Sequence, residues 1–405
     1  MTFRTILIVA LLALTPAVEA QPTASAGGLW DASVTVNDLR IPFRLEIVGD
    51  RSAVVGSFFN GEERVSSTSG SFVGGELRLG FAHYATTLSA KLVDGQLEGK
   101  YDRGSKGSYA FHAKHFVPST FGVDEVPSIA GYWEIPVHSP KGESAWRFLV
   151  RQSGGEASAT ILRVDGDTGL LSGKFAGGKF LLSHFSGARP SLLEVTPLKD
   201  GTLEIVQNGK TKYTAIRAEE ARAKGLPEPS DPSRHTSVKD PSEPFRFSFP
   251  DLTGKIVSES DAQFRGKVVL INITGSWCPN CHDEAPFLAE LFRTYRDQGL
   301  EIVALSFEEA EQLADPTRLR AFIARYGIGY TVLLGGEQED LKTKLPQAVN
   351  LNSWPTTFFV GRDGLVRGAH AGFAGPASGE VHQQAKREFV TTIEKLLAEN
   401  QSSRR

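Results

Sequence analysis

Cysteine is nearly missing from this 405-residue chain, which has two, and methionine occurs once. Both cysteines fall in Trp277-Cys278-Pro279-Asn280-Cys281, which excludes a fold stapled by many bridges. A bridge across two intervening residues closes a tiny loop and constrains the unfolded chain very little, so the pair is a poor structural staple. A zinc site wants three or four ligands, and only His282 stands close by, so no metal is expected. A field of one charge is missing too. The net charge is −3 and no run of Lys or Arg marks a surface for nucleic acid or anionic lipid. Long apolar runs are also absent: none approaches the roughly 20 residues a helix needs to span a bilayer, so a membrane-spanning protein is not expected.

What the chain does have begins at its N-terminus. Arg4, the short apolar run Ile6–Leu14 and the small-residue end Val18-Glu19-Ala20 form the pattern of a cleavable secretory signal, residues 1–20. No Cys follows the expected cut, which argues against a lipid anchor. The mature protein is expected outside the cytoplasm.

Glycine is abundant, at 41 residues, mostly before the last third, as turn-rich β structure requires. From 28 to about 216 short strands alternate with Gly, Asp and Asn turns; Ile41–Val48, Glu76–Phe81, Thr87–Leu92 and Gln96–Tyr101 are examples. This region repeats. Trp30 and Trp133 are 103 residues apart, as are Ser69-Gly70-Ser71-Phe72-Val73-Gly74-Gly75 and Ser172-Gly173-Lys174-Phe175-Ala176-Gly177-Gly178, and Tyr109 matches Tyr213. Two β copies follow, 28–120 and 128–216, each with room for a small meander barrel or half of a larger one. Their tryptophans are expected as core anchors. His112 and His115 have an odd spacing that points them to opposite faces of a strand, so they are not a metal pair.

A Pro-rich segment, 225–244, carries Pro227, Pro229, Pro232, Pro241 and Pro244 and is expected as a semi-stiff linker holding the β copies at a distance. Beyond it, over 245–400, strands and helices alternate. Strands are expected at Lys267–Ile273, Glu301–Ser306, Tyr330–Leu334 and a hairpin of Thr356–Val360 with Leu365–Ala369. Helices are expected at Asp283–Arg296, Leu319–Tyr326, Asp340–Leu345 and Glu380–Ala398. The fold class is thus multidomain: an all-β repeat region followed by an α/β sheet with a terminal antiparallel hairpin. Cys278 follows a strand and opens a helix, where unpaired amides and the positive helix end favour thiolate. Cys281, one turn on, is placed to close a disulfide and release a substrate from a mixed disulfide. Pro279 in the first turn loses no hydrogen bond.

Three motifs together resemble the TlpA/ResA-like branch of the thioredoxin superfamily: Gly266-Lys267-Val268-Val269-Leu270-Ile271-Asn272, Trp277-Cys278-Pro279-Asn280-Cys281, and Trp354-Pro355-Thr356-Thr357-Phe358-Phe359. The likeness covers about Phe247 to Ala398 and none of the β repeat. It implies a thioredoxin fold, a redox-active Cys278–Cys281 disulfide in place of any cofactor, and Trp277, Pro279, Asn280, Trp354 and a cis-Pro355 around the pair. It also implies that Glu284, three residues after Cys281, serves the Cys281 proton, and that Pro286 kinks the first helix. Asn272 stands where thioredoxin carries a buried Asp. His282 is expected as an exposed residue without a role, and 308–316 as an acidic loop without chemistry. The resemblance implies an exported, periplasmic reductase of protein disulfides, fed by an upstream thiol donor. The alternatives are a non-catalytic ligand- or partner-binding protein using the fold for docking, and a thiol peroxidase, which would need its Cys in a Pro-Thr-Cys loop.

Overall fold

The computed structural model describes residues 25–118 and 126–399, so the expected signal segment lies outside the described residues. The β repeat forms two antiparallel meanders. In the first copy nine strands run from Gly28–Val36 to Ser108–His115, and the first strand pairs with the last. Its ring stays open between Glu63–Ser66 and Ser69–Val73. The second copy closes: Glu156–Arg163 pairs with both Ala145–Ser153 and Leu171–Ala176, completing an eight-stranded barrel. In the first copy the equivalent seam shrinks to isolated bonds, Val54 N–H to Gly70 O at 3.4 Å and Phe72 N–H to Arg51 O at 2.5 Å. Gly70 is required there, since a Cβ would lie 2.2 Å from the Val54 carbonyl oxygen.

The repeated tryptophans are repeated in their bonding as well. Trp30 and Trp133 are buried, and each indole N–H donates to the carbonyl four residues back, Ala26 at 2.9 Å and Ile129 at 2.8 Å. Each ring is capped by a cation-bearing or imidazole side chain from the last strand of its copy: His115 stacks at 3.8 Å on Trp30, and the Arg217 guanidinium lies 3.8 Å over Trp133. Burial of an aromatic of this size is worth about 2–3 kcal/mol, which explains why these positions recur when most others drift. The copies also share a core. Phe185 of the second copy packs among Phe43, Phe58 and Tyr101 of the first, fixed by its N–H donating to Asn60 Oδ1 at 2.8 Å.

The C-terminal sheet contains β1 (Val268–Thr274), β2 (Leu300–Phe307), β3 (Thr331–Gly336), β4 (Thr356–Val360) and β5 (Val366–Ala371), in spatial order β3-β2-β1-β4-β5. β1, β2 and β3 are parallel, whereas β4 and β5 run antiparallel as the expected hairpin. β1 is buried along its whole length, as its unbroken apolar, β-branched run requires of a central strand. The main helices are α1 (Pro279–Tyr295), α2 (Thr317–Tyr326) and α3 (Glu380–Ala398). One apolar cluster joins β1, α1 and α3 through Leu270, Phe287, Leu288, Phe389 and Ile393; a second joins the other sheet face to Phe245, Phe247 and Phe249.

Two expectations about the segment before this sheet are corrected. The Pro-rich stretch is not free: Ser237–Val238 pairs with Ala348–Val349, and Thr236 Oγ1 donates to Asn350 O at 3.2 Å. The β copies are not held at a distance. Lys106 is ion-paired with Glu309, the Tyr84 ring lies 4.6 Å from His282, and Gly166 forms a β-bridge with Phe373. Prolines stiffen a chain, but here they lead it along a surface with which it bonds.

Candidate active site

The loop Gly275–Cys278 carries the chain from the end of β1 into α1. Gly275 admits no side chain, because a Cβ would sit 2.3 Å from Trp277 Nε1 and 2.8 Å from Phe307 O. Ser276 is held from below: its N–H and its Oγ–H both donate to the Glu308 carboxylate at 2.7 Å. Glu308 is fully buried, accepts also from Ser306 Oγ, and is neutralised by Arg318 at 2.7 Å. Arg318 in turn donates from Nε to Ser276 Oγ at 2.8 Å and pairs with Glu309. The stretch 308–316, expected as an acidic loop, is helical over Ala310–Ala314, and its first residue is buried rather than solvated. A charge run reads as solvated in sequence, yet Glu308 sits at the end of β2, where a buried strand delivers it beneath the neighbouring loop.

Cys278 is the N-cap of α1, with Pro279 in the first turn. Its Sγ accepts from the Cys281 N–H at 3.4 Å, and its carbonyl accepts from the His282 N–H at 3.2 Å. Both cysteines are free thiols and buried, with exposures of 3% for Cys278 and 1% for Cys281. The Cys281 thiol is pushed well up, first by burial, then by its contact with Cys278. Trp277 lies edge-on to Trp354 at 5.5 Å, and its Nε1–H donates to Phe307 O at 2.9 Å. The Trp354–Pro355 peptide is cis, and the Pro355 carbonyl accepts from Gly372 N–H at 2.6 Å.

Glu284 is 1% exposed. Its carboxylate accepts from Asn272 Nδ2 at 2.7 Å and from Thr357 Oγ1 at 3.1 Å, residues that face each other across β1 and β4. Burial raises its pKa to about 8, with those two hydrogen bonds opposing the rise. Glu284 and Cys281 line one void of about 10 Å³ with Asn272, Thr274 and Tyr330. His282 is not exposed as expected. It is buried, bonded to Ser276 O and Tyr326 Oη at 2.9 Å each, and burial lowers its pKa to about 3.

Asn280 carries the main surprise. Its Nδ2 donates to Asp165 O at 2.5 Å and its Oδ1 accepts from Arg189 Nη2 at 2.6 Å, both partners belonging to the second β copy. Close by lie Asp167, Asp283 and Glu63, whose carboxyl pKa values burial raises, Glu63 to about 7. Nothing local in the sequence joins Arg189 or Glu63 to the cysteines; only the docking of the copies does. Among the described residues no cluster of His, Cys, Asp or Glu is placed to hold a metal ion, and no helix is long and apolar enough to cross a membrane.

The likeness to known proteins falls on the C-terminal region. Residues 242–369 match the AhpC/TSA family. A thiol-disulfide oxidoreductase ResA of Bacillus cereus is 32% identical over 120 residues, 30% of this chain and 62% of the relative. ResA of Bacillus subtilis is 30% identical over 130 residues, 32% of this chain and 66% of the relative. The C-terminal domain is similar to ResA. The match spans about 62% of the length of the first of these relatives, and the β repeat lies outside it. A solved putative thiol:disulfide interchange protein DsbE from Chlorobium tepidum aligns with 39% of this chain and 99% of its own, at 24% identity and TM-score 0.30.

Proposed function

We propose that this protein is an exported thiol–disulfide oxidoreductase that reduces protein disulfides through Cys278 and Cys281. The observation that carries the reading is the placement of Cys278 as N-cap of α1, its sulfur accepting the Cys281 N–H, with Glu284 buried beneath Cys281. At a helix N-terminus the thiolate is the favoured form and the attacking one. Cys278 S⁻ attacks one sulfur of a substrate disulfide; that S–S bond breaks and the first substrate thiolate leaves. Cys281 stays protonated until then, as its burial requires. Glu284, with a pKa near working pH, takes the Cys281 proton. Cys281 S⁻ then attacks Cys278 Sγ, a Cys278–Cys281 disulfide forms, and the second substrate thiolate leaves, completing a two-electron reduction. An upstream dithiol donor restores the pair.

Export and a periplasmic site rest on the 1–20 signal pattern, and the reducing direction on what the resemblance of the three motifs to the TlpA/ResA-like branch implies. A peroxidase is disfavoured because the described loop is Trp-Cys-Pro-Asn-Cys rather than Pro-Thr-Cys. Replacing Cys281 with Ser should trap mixed disulfides with substrates through Cys278, visible by mass spectrometry under non-reducing conditions. Better trapping by Cys278→Ser would reverse the two roles.

A further inference from the structure

Strand Glu156–Arg163 of the second β copy turns at Val164-Asp165 into the short strand Gly166–Asp167. The tip of this hairpin is pressed backbone-first onto the cysteine-bearing domain. Gly166 bridges Phe373, and at its φ of +113° a Cβ would lie 2.2 Å from Phe373 O and 2.7 Å from Asn280 Nδ2. From the other side, a Cβ on Gly372 would lie 2.3 Å from Val164 O. Asn280 donates to Asp165 O, and Arg189 clamps the contact by donating to Asn280 Oδ1 and, at 2.8 Å, to Asp167 O. Leu162 adds an apolar seal against Ala374, Ala385 and Val381.

The consequence falls on Cys278, two residues from Asn280. Attack on a disulfide needs the three sulfurs near a line, hence open space over the attacking sulfur. Cys278 as a residue is only 3% exposed, so the closed form leaves little of it open to a substrate. The bonds that hold the hairpin tip on Asn280 and Phe373 come from main-chain groups, Asp165 O and the Gly166 backbone, which every polypeptide carries. We propose that the Val164–Asp167 hairpin tip is a built-in occupant of the surface on which an extended, disulfide-bearing polypeptide docks, and that substrate reaches Cys278 by displacing it. This rests on the dithiol–disulfide reading above. The second β copy is then a cover that opens, and its closed form protects the thiols from adventitious oxidation and from small disulfides.

The test is alkylation of the reduced full chain by N-ethylmaleimide at fixed pH, with insulin as the polypeptide disulfide. Gly166→Ala wedges the hairpin away and Arg189→Ala removes the clamp. Each should speed alkylation roughly tenfold or more, as expected when a charge-assisted contact holding the closed form is lost. Gly178→Ala, at a turn with φ +83° and no neighbour near its Cβ position, controls for general loosening of the barrel and should keep the wild-type rate. Insulin reduction should rise with alkylation. If Gly166→Ala does not fold, Arg189→Ala carries the test alone. Wild-type thiols that alkylate as fast as those of the variants would overturn the cover. Faster alkylation without insulin reduction by any form would instead overturn the oxidoreductase reading on which the docking surface depends.

Discussion

Glu284 shows how a single residue acquires chemistry from its surroundings. A carboxyl in water is ionised at neutral pH; inside the β1–β4–α1 layer its pKa rises to about 8, so its ionised and protonated forms are both present over the range in which thiol exchange runs. Glu284→Gln keeps the shape and one of the two accepting oxygens while removing the titration. Exchange near neutral pH should slow by roughly 10–100-fold, the low end for acid–base assistance, with the domain still folded. Unchanged rates from pH 6 to 9 in stopped-flow exchange would reduce Glu284 to a structural group. Its role was legible only through the resemblance to the TlpA/ResA-like branch, which carries a Glu three residues after the second Cys. His282 was not, because what buries it, the rings of Tyr84, Phe322 and Tyr326, comes from elements distant in sequence.

At the scale of elements, the reactive loop is as rigid as what lies under it. Glu308 and Arg318 form a buried pair that fixes Ser276, so removing the Glu308 charge leaves the buried Arg318 with Glu309 as its one carboxylate partner. Glu308→Gln should cost about 3 kcal/mol, the low end for a broken buried pair since Glu309 still faces Arg318. Chemical denaturation reads that loss, and a variant as stable as wild type would contradict it. In the β region Trp30→Ala and Trp133→Ala should each cost about 3–5 kcal/mol, as for large core aromatics. Strands and helices were readable from period and turn residues, and the final hairpin and α3 fall where the pattern put them. The docking of the copies was not readable: it depends on glycines such as Gly166 and Gly372, which in sequence look like any other turn residue.

Across the whole molecule, buried titratable groups set the pH range of stability. Glu63 and Glu284 are raised from 4.5 to about 7 and about 8, so the stability they contribute is present below 4.5 and is lost as pH rises through those values. His83 and His184, lowered from 6.5 to about 4, and His282, lowered to about 3, contribute stability above 6.5 that is lost as pH falls. Between about pH 7.5 and 8 the histidines of the unfolded chain are already largely neutral and the raised carboxylates dominate, so Tm should fall with rising pH there, and less so in Glu284→Gln. A rising Tm over that interval in calorimetry would contradict the burial of these groups. The central claim is that Cys278 and Cys281 form one reversible two-electron couple, and its direct measurement is a redox titration of the full chain, read by alkylation and mass spectrometry. The expected result is a single Cys278–Cys281 disulfide with a potential below about −230 mV, as a reductase of this fold requires; a potential near about −120 mV would make the protein an oxidant, and a pair that never closes an intramolecular disulfide would contradict dithiol–disulfide exchange altogether.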